Sequence, residues 1–473
     1  MDVIYIWRRA PMAAAPEDLT VAEVRLTPVL VADPPLLNIQ GVHQPYTPRL
    51  IIEVVTAGGA TGLGETYGDT EYLGPARLLA DALVGRRVTD LNGLPALADR
   101  LCGDSPDATG ADTVHTVDSV DSADSADSAD SAVTAVTVDT VDAAGLRGAR
   151  TAGKLRRSVL SGFEVACLDA WGRAAGLPVH ALLGGRVRDR VEYSAYLFYR
   201  WAAHPGDRGE PDDWGAALDP AGIVAQARRF ADRHGFTSFK LKGGVFPPDR
   251  EIAAIRALAA AFPGQPLRLD PNGAWTVETS LRVADELRDV LEYLEDPASG
   301  TDRMARVAAR APVPLATNMC VTAFEEIPEA FARGAVQVVL SDHHYWGGLR
   351  STRELAALCR TFGVGLSMHS NTHLGISLAA MTQVAATVPN LDFACDTHYP
   401  WQTEDVLAER LAFRDGHLDV GDAPGLGVTL DRDRLAALHR RWLADDGTHR
   451  SRDDAAAMRR ADPGWTAPAV PRW

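Results

Sequence analysis

The chain has 473 residues, room for a β/α barrel of about 250 residues with a smaller domain beside it. Its net charge of −16 includes ten aspartates and no Lys or Arg between Asp104 and Leu146. Without them the charge is −6 (−16 + 10), which argues against a nucleic-acid or membrane partner. Five scattered cysteines (Cys102, Cys167, Cys320, Cys359, Cys395) without CxxC spacing, no signal-like start and no long apolar run point to a cytoplasmic protein with reduced thiols.

Residues 20–32 and 50–65 read as strands rich in Val, Ile and Leu around Gly-rich turns. The segment Leu37–Pro45 between them reads as a loop, and helical patterns follow at 75–84, 90–101 and 155–175. The stretch 104–143 is Asp-Ser-Ala and Val-Thr-Asp repeats with no aromatic residue. It has little to bury, so a disordered low-complexity insert is expected there. These segments define a capping domain over 17–185.

From residue 186 a strand-helix rhythm takes over and continues to 396. Candidate strands are Val191–Leu197, Ser238–Lys242, Leu267–Asp270, Leu291–Glu295, Pro314–Asn318, Val336–Asp342, Val364–His369 and Leu391–Asp396. Helical patterns such as Ala221–His234, Asp249–Phe262, Thr279–Val290 and Thr352–Phe362 separate them. Eight strands with helical crossovers, and no GxGxxG after a strand, predict a closed parallel barrel rather than an open sheet. Residues 397–473 are expected to return to the smaller domain.

The ends of these strands carry the chemistry. Asp270, Glu295, Asn318, Asp342 and His369 follow one another at intervals of 25, 23, 24 and 27 residues. In a parallel barrel such residues converge on one mouth. Lys240 and Lys242 lie two apart on a strand and so share a face, which Phe239 and Leu241 leave to the barrel interior. A bare KxK is more often a solvated surface pair. The Gly243-Gly244 turn and the series downstream argue for a site, where two ammonium groups would lower each other's pKa.

Asp270, Glu295 and Asn318 offer oxygen ligands in register, a set suited to Mg²⁺. Any one of them alone would read as a turn or helix-cap residue. His369 beside Asp342 suits proton transfer, and Ser370, Asn371 and His373 crowd the same turn. A cation at a substrate carboxylate, with a base on each face, fits ionisation of the adjacent C–H bond followed by racemisation or loss of water.

The strings FKLKGGV (239–245), LRLDPNGAW (267–275), YLEDP (293–297), ATNM (316–319), HSN (369–371), DTH (396–398), PGLGV (424–428), RDD (452–454) and PGW (463–465) resemble the enolase superfamily, and within it the D-glucarate dehydratase family. The resemblance runs from about Leu37 to Trp465 outside the 104–143 insert. It implies a (β/α)7β modified TIM barrel with an α+β capping domain completed by C-terminal segments, a Mg²⁺ cofactor and a homo-oligomer. It also implies that Lys242 is the base for one face, His369 with Asp342 the acid/base for the other, Lys240 a contact to the reacting carboxylate, and Asn371 an assistant to His369.

By the same resemblance Asn38, His43, Thr151, Tyr196, Lys240, Asn272, His369, His398 and Arg452 bind substrate. In this family the middle metal ligand is commonly an acidic residue beyond the EDP motif. The segment EDPASGTDRM (295–304) has no glutamate after Glu295, which leaves Glu295 or Asp302 for that role. The expected activity is dehydration of an acid sugar, D-glucarate first. Another hexarate or aldonate dehydratase, an epimerase and a silent carboxylate-binding paralogue remain open alternatives.

Overall fold

The structure, a computed structural model, describes residues 18–102, 151–205 and 212–473. The insert expected over 104–143 lies outside the described residues. A three-stranded antiparallel sheet, in the order β1 (Val21–Ala32), β4 (Tyr46–Thr56), β5 (Thr61–Tyr67), opens the chain. The reading of 50–65 as one strand is corrected to the β4–β5 hairpin. Its turn includes Gly59 at φ 93°, a conformation that breaks a strand. The expected loop at Leu37–Pro45 holds a two-residue ladder, β2 (Leu37–Asn38) with β3 (Gly41–Val42).

The helix Ala152–Ala175 packs on β5 at unusually short range. A Cβ at Gly62 would lie 2.0 Å from Ala166 O, and one at Gly64 would lie 2.0 Å from Gly162 O. Glycine at both positions is therefore what admits the helix. Inside this contact Asp169 accepts from Leu63 N (2.7 Å) and Leu426 N (2.7 Å), binding the sheet to a distant segment.

Eight parallel strands follow: β6 (Arg190–Phe198), β7 (Phe239–Lys242), β8 (Leu267–Asp270), β9 (Leu291–Glu295), β10 (Leu315–Thr317), β11 (Val338–Ser341), β12 (Gly365–Met368) and β13 (Cys395–Thr397). They pair in chain order from β6 to β12, and β13 pairs back onto β6. Across the remaining seam Asp392 N donates to Leu366 O (3.1 Å) and Ser367 Oγ to Ala394 O (2.8 Å). Helices occupy every crossover, which is the (β/α)7β barrel.

Two parts of the segment 397–473 stay with the barrel. Thr397 completes β13, and β14 (His417–Asp419) pairs antiparallel with β6. The helix Arg432–Ala444 then reaches β1, where His439 Nδ1 meets Pro28 O at 2.7 Å and Arg441 donates to Leu30 O at 3.0 Å. At the end of the chain Thr276 N donates to Trp473 O, so the tail closes over the loop after β8.

Candidate active site

Strand register sets two rows of side chains in the barrel interior. Tyr196, Lys240, Arg268 and Tyr293 are register neighbours across β6 to β9, and all four are buried. One step toward the mouth, Phe198, Lys242 and Asp270 align. The lower row is an ion network. Lys240 Nζ donates to Glu295 Oε2 (2.6 Å) and Asp396 Oδ2 (2.5 Å), while Arg268 reaches Asp396 Oδ1 (3.3 Å) and Glu292 Oε2 (2.7 Å). Tyr196 OH donates to Asp396 Oδ2 (3.2 Å).

This network corrects the expectation that Lys240 is depressed by its neighbour. Burial opposes the charge on Lys240, but Asp396 and Glu295 outweigh it and raise its pKa. Lys240 is thus held as a cation. Lys242 Nζ donates to Asp270 Oδ2 (2.5 Å), and Asn272 Nδ2 donates to the same carboxylate at 3.1 and 3.2 Å.

Asp270, Glu295 and Asn318 stand at the ends of adjacent strands and are buried. Burial and the neighbouring Asp270 charge push the Glu295 carboxyl well above the usual range. Glu295 Oε1, both amide atoms of Asn318 and Asn272 Oδ1 have no hydrogen-bond partner. Buried oxygens of this kind are costly unless something charged or polar meets them. The orphaned oxygens and the opposed carboxylates fit a hard divalent cation. Asp302 does not belong here: it lies on the helix Thr301–Ala308, its side chain is 67% exposed, and it pairs with Arg333. Between the two alternatives for the middle ligand, only Glu295 is in place.

On the opposite side Asp342 follows β11 and His369 follows β12, with His369 Nδ1 and Asp342 Oδ2 3.2 Å apart. Burial opposes the Asp342 charge, yet the His344 and His373 rings and the hydrogen bonds from His344 and His369 hold its carboxyl well below the usual range. Burial, helped by the Lys242 charge, pushes His369 down to about 4 in spite of Asp342. His369 is therefore held as a neutral imidazole at neutral pH. Asn371 Nδ2 donates to Tyr345 OH (3.1 Å), and the Tyr345 ring stacks on His369 with centroids 6.0 Å apart.

A small cavity is lined by Tyr196, Phe198, Lys242, His369, Asn371 and His398, with Ser370 and Thr372. It brings both proposed bases to one space. His398 stacks on His43 at 6.2 Å, and His43 Nδ1 lies 3.3 Å from Asp33 Oδ2. Arg452 donates to Asp33 (2.7 Å), Thr47 (2.8 Å) and Asp454 (3.3 Å), and Asn38 Nδ2 donates to Asp454 (2.6 Å). Asn38, His43 and Arg452 thus form a buried web behind His398. Thr151 stands apart. It is exposed and caps the helix Ala152–Ala175 by accepting from Lys154 N (3.1 Å).

Several partners escaped the sequence reading. Arg268 and Tyr293 lie two residues before Asp270 and Glu295, so the period-two rule that paired the lysines would have found them. Asp396 sits in the DTH string beside His398. Lys154 Nζ lies 3.8 Å from the Tyr345 ring centroid, and nothing in its sequence context signals that contact.

Residues 222–434 match the family described as Enolase C-terminal domain-like. The chain is 70% identical to a probable glucarate dehydratase of Streptomyces coelicolor over 96% of this chain and 99% of that protein. The chain belongs to the enolase superfamily. A crystal structure of an enolase from Mycobacterium smegmatis complexed with tartrate superposes with a TM-score of 0.84 at 53% identity, covering 98% of this chain and 100% of that one. An enolase structure from Thermobispora bispora, complexed with magnesium and formate, gives a TM-score of 0.84 at 52% identity over 96% of this chain and 100% of that one. This superfamily member is an enzyme, and no helix among its described residues is long and apolar enough to cross a membrane.

Proposed function

We propose that this enzyme is a Mg²⁺-dependent acid-sugar dehydratase that converts D-glucarate to 5-dehydro-4-deoxy-D-glucarate. The observation that carries the reading is the shared cavity. Lys242 and His369 line it together, and the oxygen cluster of Asp270, Glu295 and Asn318 ends the adjacent strands. The acid ligands bound in the M. smegmatis and T. bispora relatives support a carboxylate substrate, and the S. coelicolor relative supports glucarate.

A Mg²⁺ ion held by Asp270, Glu295 and Asn318 would supply a Lewis acid for the substrate carboxylate. Lys240, kept cationic by Asp396 and Glu295, adds a fixed positive charge at the same end. The proton next to that carboxylate leaves to Lys242 from one face or to His369 from the other. Its electron pair then forms the C–C double bond as the β-hydroxyl departs. The departing hydroxyl takes its proton from His369 where His369 has been the base, and from solvent where Lys242 has, so one water is lost and the enol product tautomerises to a ketone. Asp342 holds the ring through Nδ1, which directs the reactive nitrogen to the cavity. Tyr196, Asn272, Asn371 and His398 bind the hydroxyl chain, while Asn38, His43 and Arg452 shape the distal wall.

Purified protein with Mg²⁺ is assayed against D-glucarate and a panel of related diacid and monoacid sugars, with detection of 2-keto acid. Keto acid from D-glucarate is the expected result. Product from another acid sugar alone would overturn the substrate, and a stereoisomer in place of a keto acid would overturn the dehydration.

A further inference from the structure

Behind the His369–Asp342 pair lies a group that the proposed reaction does not use. Asp342, His343, His344 and His373 are all buried and offer one ligand atom each within 4.8 Å of one another. Two of the rings are unsatisfied. His343 is 2% exposed and His373 is fully buried, and neither ring nitrogen of either residue has a hydrogen-bond partner. A buried donor or acceptor left unmet is costly, so the packing points to a ligand that these nitrogens meet.

The geometry around the carboxylate divides the work. His344 Nδ1 lies 2.9 Å from Asp342 Oδ1, and its Nε2 lies 3.1 Å from Glu65 O and 3.2 Å from Ser377 Oγ. Both His344 nitrogens are thus engaged in bracing. The other oxygen, Oδ2, faces His373 Nε2 at 3.6 Å, and the His343 and His373 ring centroids are 5.3 Å apart. Two imidazoles and a carboxylate oxygen, with that carboxylate braced from behind by a third imidazole, are the donors that borderline transition ions select. They do not suit Mg²⁺, which takes oxygen ligands.

We propose that Asp342, His343 and His373, with His344 bracing the carboxylate, form a second cation site for an ion such as Zn²⁺ or Co²⁺. It is separate from the oxygen cluster at Asp270, Glu295 and Asn318. The site shares Asp342 Oδ2 with His369, whose Nδ1 lies 3.2 Å from that oxygen. Occupancy therefore draws the carboxylate away from His369 and inhibits proton transfer on that face. This second consequence rests on the proposed role of the His369–Asp342 pair; the site itself does not.

The test is Co²⁺ titration of the metal-free full-length protein, read by visible absorption at equilibrium and in the presence of excess Mg²⁺. One Co²⁺ per chain with the intense bands of a low-coordinate, nitrogen-ligated ion is expected, displaced by Zn²⁺ and untouched by Mg²⁺. His343→Asn is expected to abolish the bands, and His344→Asn to weaken binding about 10–100-fold, while Asp270→Asn keeps them. X-ray absorption of the Zn²⁺-loaded wild-type protein counts imidazole ligands independently of any variant. Weak six-coordinate bands alone, bands that survive in His343→Asn, or a zinc shell without imidazole would each overturn the site. Zn²⁺ is further expected to slow solvent-deuterium exchange on the His369 face and spare the Lys242 face. A bound, imidazole-ligated Zn²⁺ that leaves the His369 face unaffected would overturn the inhibition and count against the pair, with the site retained.

Discussion

The two sides of the barrel mouth are built from similarly spaced strand ends and yet have opposite chemistry. On the side of β8 to β10, carboxylates and an amide crowd together with orphaned oxygens, balanced from below by Lys240 and Arg268. On the side of β11 and β12, one carboxylate is ringed by imidazoles and orphaned nitrogens. The first side sets Lys242 on Asp270 at the cavity wall, while the second has a single carboxylate shared among several rings. One scaffold can thus present a cation-binding wall and a proton-transfer wall facing each other across a narrow cavity, because a parallel barrel lets each strand end vary independently.

The largest expected effect that would break this contrast is on turnover. Lys242→Ala should lower the rate of dehydration by about 10²–10⁴-fold with an unchanged circular dichroism spectrum. Full activity in that variant would remove the base from the cation-binding side. Chelation by EDTA should abolish turnover, with recovery on adding Mg²⁺, and Glu295→Gln should weaken that recovery. An Asp302→Asn variant should behave as wild type in the same titration.

A stability effect of similar rank separates the walls from their support. The buried Glu65 carboxylate receives Arg49 (2.6 Å), Leu374 N (2.9 Å) and Ser377 N (2.8 Å), and so ties β5 to the turn that carries His369. Glu65→Ala should cost about 3–5 kcal/mol, measured by denaturant unfolding. A cost below about 1 kcal/mol, the range of an exposed pair, would mean that the cap does not brace the histidine side.

The smallest effect concerns pH. His369 is held at about 4 in the fold, against about 6.5 in the unfolded chain. The unfolded chain therefore binds the extra proton between these values, and the native state loses stability as pH falls through that window. His369 accounts for about 3 kcal/mol of this loss. Burial pushes the carboxyls of Glu164, Glu251 and Asp296 up to about 7, with the opposite slope, but they are common to wild type and variant. The stability of wild type relative to His369→Asn should fall by about that amount between pH 6.5 and 4. A pH-independent difference would contradict a buried neutral imidazole.

The same contrast marks what the sequence could tell. Strands Leu267–Asp270 and Leu291–Glu295 coincide with their predicted bounds, because short apolar runs ended by Pro-containing turns are local signals. The lysine pair was placed inside the barrel by alternation alone. What failed was local electrostatics inferred without neighbours. Lys240 is raised rather than depressed because Asp396, 156 residues away, reaches it. His344 meets Glu65 across 279 residues, and no periodicity reports such a contact. Thr151 is a helix cap, a role that the residue type alone predicts about as well as substrate binding does.

The central claim is that Lys242 and His369 act on opposite faces of one substrate carbon. Solvent-deuterium exchange of the α-hydrogen, followed in wild type, Lys242→Ala and His369→Asn with substrates of both configurations at that carbon, tests it most directly. The expected result is that each variant loses exchange for one configuration and keeps it for the other, with the two variants complementary. Loss of both configurations in a folded single variant, or of the same one in the two variants, would contradict the two-faced site.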